Sequence, residues 1–343
     1  MPAERATNAR QVMLRVADPD HALAGVRLQP DLRMPAELLE FHRERGHWEL
    51  AFDPPPVTRL EYLLELRYAD GGSKVSPDPA NPREVATAFG PKSVLELPGY
   101  EPPAWLSAPA DPGVTRELDT GTAISARIWA PSGVSADEPL PLLLVHDGPE
   151  YDALASLARY LGAGVLGGWL PRLRAALLSP GSRNSWYSAS PRYMRMLAGH
   201  ALPAIRTSVA CSTVIGMGTS LGGLAMVHAY CGYPDSLDAM FLQSGSFFDP
   251  RFDSQERRFQ YFRRITDFTA ALQAGALPAN PVPVVMTCGT IEENVANNRV
   301  MLAAFLSRGY PADLHEVPDL HNYTAWRDAF DPYLTGLIRQ VTG

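Results

Sequence analysis

The run VIGMGTSLGGLA, residues 214–225, carries the strongest structural signal in this chain. Its apolar part ends at GTSLG (218–222), and a helical pattern follows at once. A serine at the centre of G-x-S-x-G, between a buried strand and a helix, is typical of an exposed nucleophile. A side chain at Gly218 or Gly222 would collide across so sharp a bend. The amide of Leu221 then lies at a helix N-terminus and can donate to an oxyanion. The alternative is a glycine-rich turn in which Ser220 only caps the helix.

Size and composition define the class of protein. The 343 residues, 46% hydrophobic and 20% charged, are enough for about two domains with sizeable cores. The net charge of −7 argues against nucleic acid or an anionic membrane surface as a partner. No apolar run has the length of a membrane span, and residues 1–15 lack the apolar core of a secretion signal. Three cysteines in or beside apolar runs indicate free thiols, so we expect a cytoplasmic protein.

Residues 10–100 form a series of short alternating segments separated by turns, which predicts a β-sandwich. The longest segment, 60–68, stops at the turn Asp70-Gly71-Gly72. The sequence EYLLELRYADGGSKVSPDPANPREVATAFGPKSVLELPGY (61–100) resembles the immunoglobulin-like module that precedes glycogen-branching enzymes and some esterases. The resemblance implies an N-terminal immunoglobulin-like domain over residues 1–105. A proline-rich linker, 106–114, follows it.

From about residue 115 the chain alternates between strands and helices, which predicts an α/β fold. We expect an α/β-hydrolase domain over 115–343, with a mostly parallel sheet covered by helices on both faces and the chemistry at the carboxyl ends of its strands. An insertion at about 249–280, rich in arginine and aromatic residues, is a lid candidate, or else an amphipathic helix with a solvated face. The predicted strands are 123–129, 141–146, 175–178, 213–217, 237–242, 282–288 and 314–317, and the predicted helices are 151–161, 191–205, 294–307 and 323–341.

Two later loops supply the partners that a serine nucleophile needs. An α/β-hydrolase presents its serine, acid and histidine in that chain order. Glu292 follows one predicted strand, and His321 follows the next. We therefore predict that His321 takes the proton of Ser220 while Glu292 fixes the tautomer of the imidazole. Glu293 takes the place of Glu292 if the turn is one residue longer, and the alternative for Glu292 is a solvated carboxylate that caps the helix beginning at Asn294.

The loop after strand 141–146 is the place where this fold supplies its second oxyanion donor. Asp147 and Gly148 occupy that loop, so they are candidates together with Leu221. His146 ends the strand, and we expect it to be a structural histidine. We also expect His228, inside the helix after the elbow, to be structural.

The second half of the chain also resembles a known family. The sequence GTSLGGLAMVHAYCGYPDSLDAMFLQSGSFF (218–248) is similar to the elbow region of the enterochelin esterases, within the esterase D group that includes feruloyl esterases and mycolyltransferases. The similarity extends to GTIE (289–292) and to His321 followed by WR (326–327). It implies Ser220 as nucleophile, His321 as base, Glu292 as acid and Leu221 as an oxyanion amide.

Three further residues are candidates for substrate binding. Arg183 begins a segment where the family usually shows R-x-x-E, but Trp186 stands in the place of that glutamate, which indicates a different substrate. Phe247 belongs to the aromatic pair after the serine-rich end of strand 237–242. The candidates are therefore Arg183, Trp186 and Phe247.

The expected function is that of a serine esterase that forms an acyl-enzyme with a small-molecule ester of the siderophore or aryl-acyl class. No metal or organic cofactor is implied. Within the same fold, the alternatives are a general short-chain carboxylesterase and an acyltransferase. The alternatives of another class are a scaffold and a glycan-binding protein in which Trp48 or Trp105 stacks on sugar rings. A homo-oligomer formed through the N-terminal domain is left open.

Overall fold

The computed structural model describes residues 11–343, which form two compact units. The first unit consists of the described residues up to Glu101 together with Pro318–Leu320, and the second consists of Pro102–Val317 and His321–Gly343. The strands are β1 (Val12–Ala17), β2 (Leu23–Pro30), β3 (His42–Glu44), β4 (His47–Phe52), β5 (Arg59–Tyr68), β6 (Ser73–Ser76), β7 (Glu84–Thr87), β8 (Gly90–Glu96), β9 (Val114–Leu118), β10 (Ala126–Ala130), β11 (Leu140–Val145), β12 (Arg174–Leu178), β13 (Cys211–Thr219), β14 (Ala239–Gln243), β15 (Val284–Gly289) and β16 (Ala312–Val317). The helices are α1 (Gly148–Ala155), α2 (Leu157–Leu166), α3 (Arg183–Tyr187), α4 (Pro191–Met196), α5 (Leu202–Ser208), α6 (Leu221–Gly232), α7 (Phe262–Ala271), α8 (Val295–Ser307), α9 (Tyr323–Asp328) and α10 (Thr335–Thr342).

The first unit contains two antiparallel sheets. One has the strand order β1-β4-β3, and the other has the order β2-β5-β8-β7, with β6 paired to β5. Along β1 buried and exposed residues alternate, because successive side chains of a strand point to opposite faces. The long strand predicted at 60–68 is confirmed as β5, and the carboxylate of Asp70 accepts from the amide of Gly72 in the turn that ends it.

The second unit is organised around one eight-stranded sheet. Its strand order is β16-β15-β14-β13-β11-β12-β10-β9, and β11 to β16 pair in parallel. The strands β9 and β10 complete one edge in antiparallel pairings. No strand is predicted at β9, because the edge strand VTREL is mostly exposed and shows no apolar alternation.

The central strands of this sheet are buried on both faces. In β11, Leu142 and Leu144 belong to one hydrophobic cluster, whereas Leu143 and Val145 belong to another. The first cluster also draws on helices α4 to α8, and the second on α1, α2, α9 and α10. A strand that packs helices on both sides needs apolar residues at every position, which explains the uninterrupted run LPLLLV.

Two of the predicted helices are interrupted in the structure. The segment 151–161 is divided between α1 and α2 at Ser156, which has a φ of +54°. The segment 323–341 is interrupted at Asp331, which has φ −109° and ψ 124°. The following Pro332 explains this break, because a proline disfavours helical geometry in the preceding residue and lacks an amide hydrogen. Within the described range, the helices lack the combination of length and apolar character that is required to cross a bilayer.

Candidate active site

Ser220 lies between β13 and α6 in a strained conformation. Its φ of 53° and ψ of −124° are unusual for a residue with a side chain, and such strain concentrates at functional sites. A Cβ at Gly218 would stand 2.5 Å from the carbonyl of Gly222, so the bend requires glycine there, as the sequence predicts. Within residues 11–343 the side chain of Ser220 caps no amide of α6. The alternative of a simple helix-capping serine is therefore wrong.

The hydroxyl of Ser220 has a serine partner that is not among the residues predicted from the sequence. Ser246 Oγ lies 3.0 Å from Ser220 Oγ, and the amide of Ser246 donates to the carbonyl of Ser220 at 3.0 Å. Ser246 and Ser244 follow β14, the strand beside β13 in the sheet. The position of these two serines, directly after the carboxyl end of a neighbouring strand, is a sequence signal that could have predicted their proximity to Ser220.

Glu292 and His321 lie together, although 29 residues separate them. His321 Nδ1 is 2.5 Å from Glu292 Oε2. Glu292 follows β15, has only 6% of its surface exposed, and accepts from the hydroxyl of Ser244 at 2.6 Å and from the thiol of Cys288 at 3.0 Å. The alternative of a solvated carboxylate is therefore wrong. Glu293, by contrast, is exposed and accepts a hydrogen bond from Gln255.

The charge of Glu292 determines which nitrogen of His321 carries a proton. Burial alone raises the pKa of the Glu292 carboxyl, but hydrogen bonds from His321, Ser244 and Cys288 and the nearby imidazole outweigh it and lower the pKa below its ordinary value. The carboxylate is therefore ionised at neutral pH and accepts from His321 Nδ1–H, which leaves Nε2 as the basic nitrogen. The imidazole also packs edge-on against Trp326, whose indole N–H donates to Ser244 Oγ at 3.0 Å.

The three predicted oxyanion donors differ in their surroundings. Among the described residues none accepts a hydrogen bond from the amide of Leu221, at the first position of α6. The amide of Asp147 donates to the hydroxyl of Tyr187 at 3.3 Å, so it is already engaged. Gly148 packs so closely on β12 that a Cβ would lie 2.3 Å from Leu177 Cα. Among the described residues the amides of Leu221 and Gly148 have no acceptor, whereas that of Asp147 has one.

The predicted substrate-binding residues are not equivalent. Arg183 is partly exposed and donates to both carboxylate oxygens of the buried Asp147, at 2.8 to 3.0 Å. Trp186 is half-buried and stacks on Tyr193 with 5.5 Å between ring centroids. Phe247 has no exposed surface and belongs to the hydrophobic cluster. The prediction that Phe247 contacts the substrate is therefore wrong, because the core already covers its ring.

His146 joins the end of β11 to the start of α6. Its imidazole is fully buried, and Nδ1–H donates to the carbonyl of Gly222 at 2.8 Å. Burial lowers the pKa of His146 to about 4, because the charged form would have to leave water. His146 is thus a neutral structural histidine at neutral pH, in agreement with the sequence-based expectation.

This burial predicts a stability that depends on pH. Between about pH 4 and 6.5 the unfolded chain protonates His146 while the folded chain does not, so the free energy of unfolding falls as the pH falls through that window. We expect the free energy of unfolding of wild type to fall by roughly 3 kcal/mol through His146 as the pH falls to about 4. The variant His146→Gln should not show this decrease. Urea unfolding at pH 7 and pH 4.5 measures the difference. His228, whose pKa burial also lowers to about 4, is present in both proteins and cancels. A difference between the two proteins that does not change with pH would contradict the assignment.

No protein-family model and no curated protein matches the sequence. Solved structures of esterases do match the fold. The enterobactin esterase of Shigella flexneri, determined in the presence of enterobactin, matches with a TM-score of 0.77 and 17% identity over 98% of this chain and 95% of its own. The ferric enterobactin esterase of Salmonella typhimurium matches with a TM-score of 0.75 and 17% identity over 97% of this chain and 94% of its own. A feruloyl esterase module of Clostridium thermocellum, complexed with sinapinate, matches with a TM-score of 0.52 and 13% identity over 70% of this chain and 93% of its own. The resemblance to enterochelin esterases is thereby confirmed at the level of the fold.

Proposed function

We propose that this protein is a serine carboxylic ester hydrolase. The observation that carries the proposal is the 2.5 Å hydrogen bond between His321 and the buried Glu292, which follow β16 and β15. Strand β13 of the same sheet presents Ser220 in a strained elbow. The parallel sheet with apolar clusters on both faces supports an α/β-hydrolase domain over 115–343. The two antiparallel sheets of the first unit support the immunoglobulin-like domain predicted over 1–105, of which residues 1–10 lie outside the described range. The first unit ends at Glu101, and the predicted linker 106–114 belongs to the second unit.

Acylation begins with the transfer of a proton from Ser220 Oγ to His321 Nε2. The oxygen attacks the ester carbonyl carbon, and the amide of Leu221 donates to the oxyanion that forms. Glu292 stabilises the imidazolium and keeps Nδ1 protonated. The bond from the carbonyl carbon to the alcohol oxygen then breaks, and the alcohol leaves with the proton from His321. Among the described residues Ser220 Oγ is hydrogen-bonded to Ser246 Oγ and not to His321, so this step requires Ser220 to leave the first partner for the second.

Deacylation repeats the same proton transfers with water. His321 Nε2 takes a proton from a water molecule, whose oxygen attacks the acyl carbon. The tetrahedral intermediate releases the acid and returns the proton to Ser220 Oγ. The net reaction is ester and water to acid and alcohol. An alcohol or sugar in place of water would make the same site an acyltransferase, so the test must include such acceptors.

The substrate class that we propose is a siderophore-type or aryl-acyl ester. Arg183 and Tyr261 line an open cavity of about 400 Å³, and the guanidinium of Arg264 stacks on the ring of Tyr261 at 4.5 Å. Cationic and aromatic groups together bind anionic and aromatic acyl groups well. The structural neighbours are an enterobactin esterase and a feruloyl esterase, which agrees with this class. Arg264 also donates to the carbonyls of Ser185 and Ser188, so the predicted lid at 249–280 is held to α3 and to the residue that follows it.

The glycan-binding alternative has little support. The indole of Trp48 is buried and donates to Asp18 at 3.1 Å. Trp105 is also buried, between Tyr160 and Phe330. Neither ring presents a face on which a sugar can stack.

A fluorophosphonate probe tests the proposed function without knowledge of the substrate. We expect stoichiometric labelling, with the adduct on the peptide that contains Ser220, together with hydrolysis of p-nitrophenyl acetate, butyrate and catechol esters. Turnover with added alcohols separates hydrolysis from acyl transfer, because transfer gives a new ester in place of the acid. Labelling of another residue, or of none, together with absent hydrolysis of every ester would contradict the proposal.

A further inference from the structure

The three residues before His321 belong to the first compact unit, although the strand before them and the histidine after them belong to the second. The carbonyl of Pro318 accepts from the amide of Thr58 at 2.8 Å and from its hydroxyl at 3.3 Å. The carboxylate of Asp319 accepts from Arg59 Nη2 at 2.9 Å. Arg59 begins β5 and Thr58 directly precedes it, so the start of β5 holds the residues that come before His321.

The bond to Asp319 is buried and charged. The side chain of Arg59 is 2% exposed, lies 3.6 Å from the carboxylate of Glu61, and stacks over the ring of Tyr100 at 5.6 Å. Asp319 is also buried, and its second oxygen accepts from the amide of Leu320 at 2.8 Å. A buried arginine with its carboxylates fixes the geometry of both, because separation would leave charges without partners out of water.

The other side of His321 is fixed as well. Asn322 caps α9, since its side chain accepts from the amide of Ala325 at 2.8 Å. The residues on both sides of His321 are therefore held by hydrogen bonds. The ring of His321 must at the same time lie with Nδ1 2.5 Å from Glu292 Oε2. A general base has to be held within a fraction of an ångström, because a displacement of about 1 Å costs on the order of 100-fold in rate.

We propose that Arg59 is a positioning residue for His321, and that it acts through the carboxylate of Asp319. This inference rests on the proposed function for its effect on rate, but the position of the imidazole can be measured without any substrate.

The experiment compares Arg59→Gln, Arg59→Lys and Asp319→Asn with the control Tyr62→Phe. Tyr62 lies on the same strand, is equally buried, and donates to Asp78 at 2.8 Å, away from the histidine segment. Asp319→Asn can keep the oxygen that accepts from Leu320, but its NH₂ group then faces Arg59 and can only donate. It therefore breaks the same contact from the other side and serves if Arg59→Gln does not fold. We expect Arg59→Gln and Asp319→Asn to lower kcat about 10- to 100-fold with KM within about twofold, and Arg59→Lys to recover part of the loss.

Two further results decide the mechanism of the effect. The double variant should be no worse than the poorer single variant, because the two residues form one contact. The low-field proton resonance of His321 Nδ1–H, assigned by its absence in His321→Gln, should shift or vanish in Arg59→Gln and persist in Tyr62→Phe. An unchanged resonance in both Arg59→Gln and Asp319→Asn, or an equal loss of kcat in Tyr62→Phe, would overturn the inference.

The same data keep this inference separate from the proposed function. Ser220-dependent hydrolysis that does not respond to Arg59 or Asp319 would remove the positioning role and leave the esterase intact. A resonance that depends on Arg59, in a protein that hydrolyses no ester and takes no fluorophosphonate, would support the positioning of His321 and reject the esterase.

Discussion

Ser220→Ala is expected to lower kcat/KM for ester hydrolysis by at least about 10⁴-fold, since removal of a serine nucleophile leaves only binding and oxyanion stabilisation. The variant keeps its Cβ, so the strained φ of 53° and the contacts of the elbow are retained. We therefore expect a thermal midpoint close to that of wild type. Initial rates with p-nitrophenyl butyrate, together with the burst of p-nitrophenol in wild type, measure the effect.

Ser246→Ala is the matched control for this prediction. It removes the hydroxyl 3.0 Å from Ser220 Oγ but leaves the nucleophile in place. One neutral hydrogen bond contributes roughly 1 kcal/mol, so the rate should change by about tenfold or less. If Ser246→Ala were the inactive variant and Ser220→Ala the active one, the roles of the two serines would have to be exchanged.

The elbow and the Glu292–His321 pair could be predicted from the sequence because they depend on local rules. Gly218 is required by the close approach of Gly222, and this requirement appears directly as a motif. Glu292 and His321 follow strands whose parallel order brings their loops to one edge. Local patterns of this kind survive without knowledge of tertiary contacts.

The contacts that refine the site could not be read in this way. Arg59 and Asp319 are 260 residues apart, and in the sequence each resembles an ordinary surface charge. Only the folded structure shows that both are buried and paired. The position of Phe247 in a motif predicts that it lines the site, but whether an aromatic side chain faces a cavity or the core depends on packing that no single-sequence pattern contains. The break at Asp331 had a sequence signal in Pro332, which the helical spacing around it obscured.

Glu292→Gln is expected to lower kcat by about 10⁴-fold, the loss that follows when the acid of a serine–histidine–acid triad becomes an amide. The reason lies in the partners of the carboxylate. Its Oε1 accepts from the amide of Gly289, the hydroxyl of Ser244 and the thiol of Cys288, and only an oxygen can accept from these donors. The amide oxygen of glutamine must therefore take this position.

The NH₂ group of the glutamine then stands where Oε2 faced His321, 2.5 Å away in wild type. It can only donate, so His321 Nδ1 must accept and the proton moves to Nε2, the nitrogen that should take the proton of Ser220. Glu293→Gln is the control, because Glu293 is exposed and bonded to Gln255, and its kcat should stay within about twofold of wild type. Rates of single-turnover acylation measure both variants. A large loss in Glu293→Gln with little change in Glu292→Gln would assign the acid to the other carboxylate, and comparable activity in both would mean that His321 acts without an orienting acid.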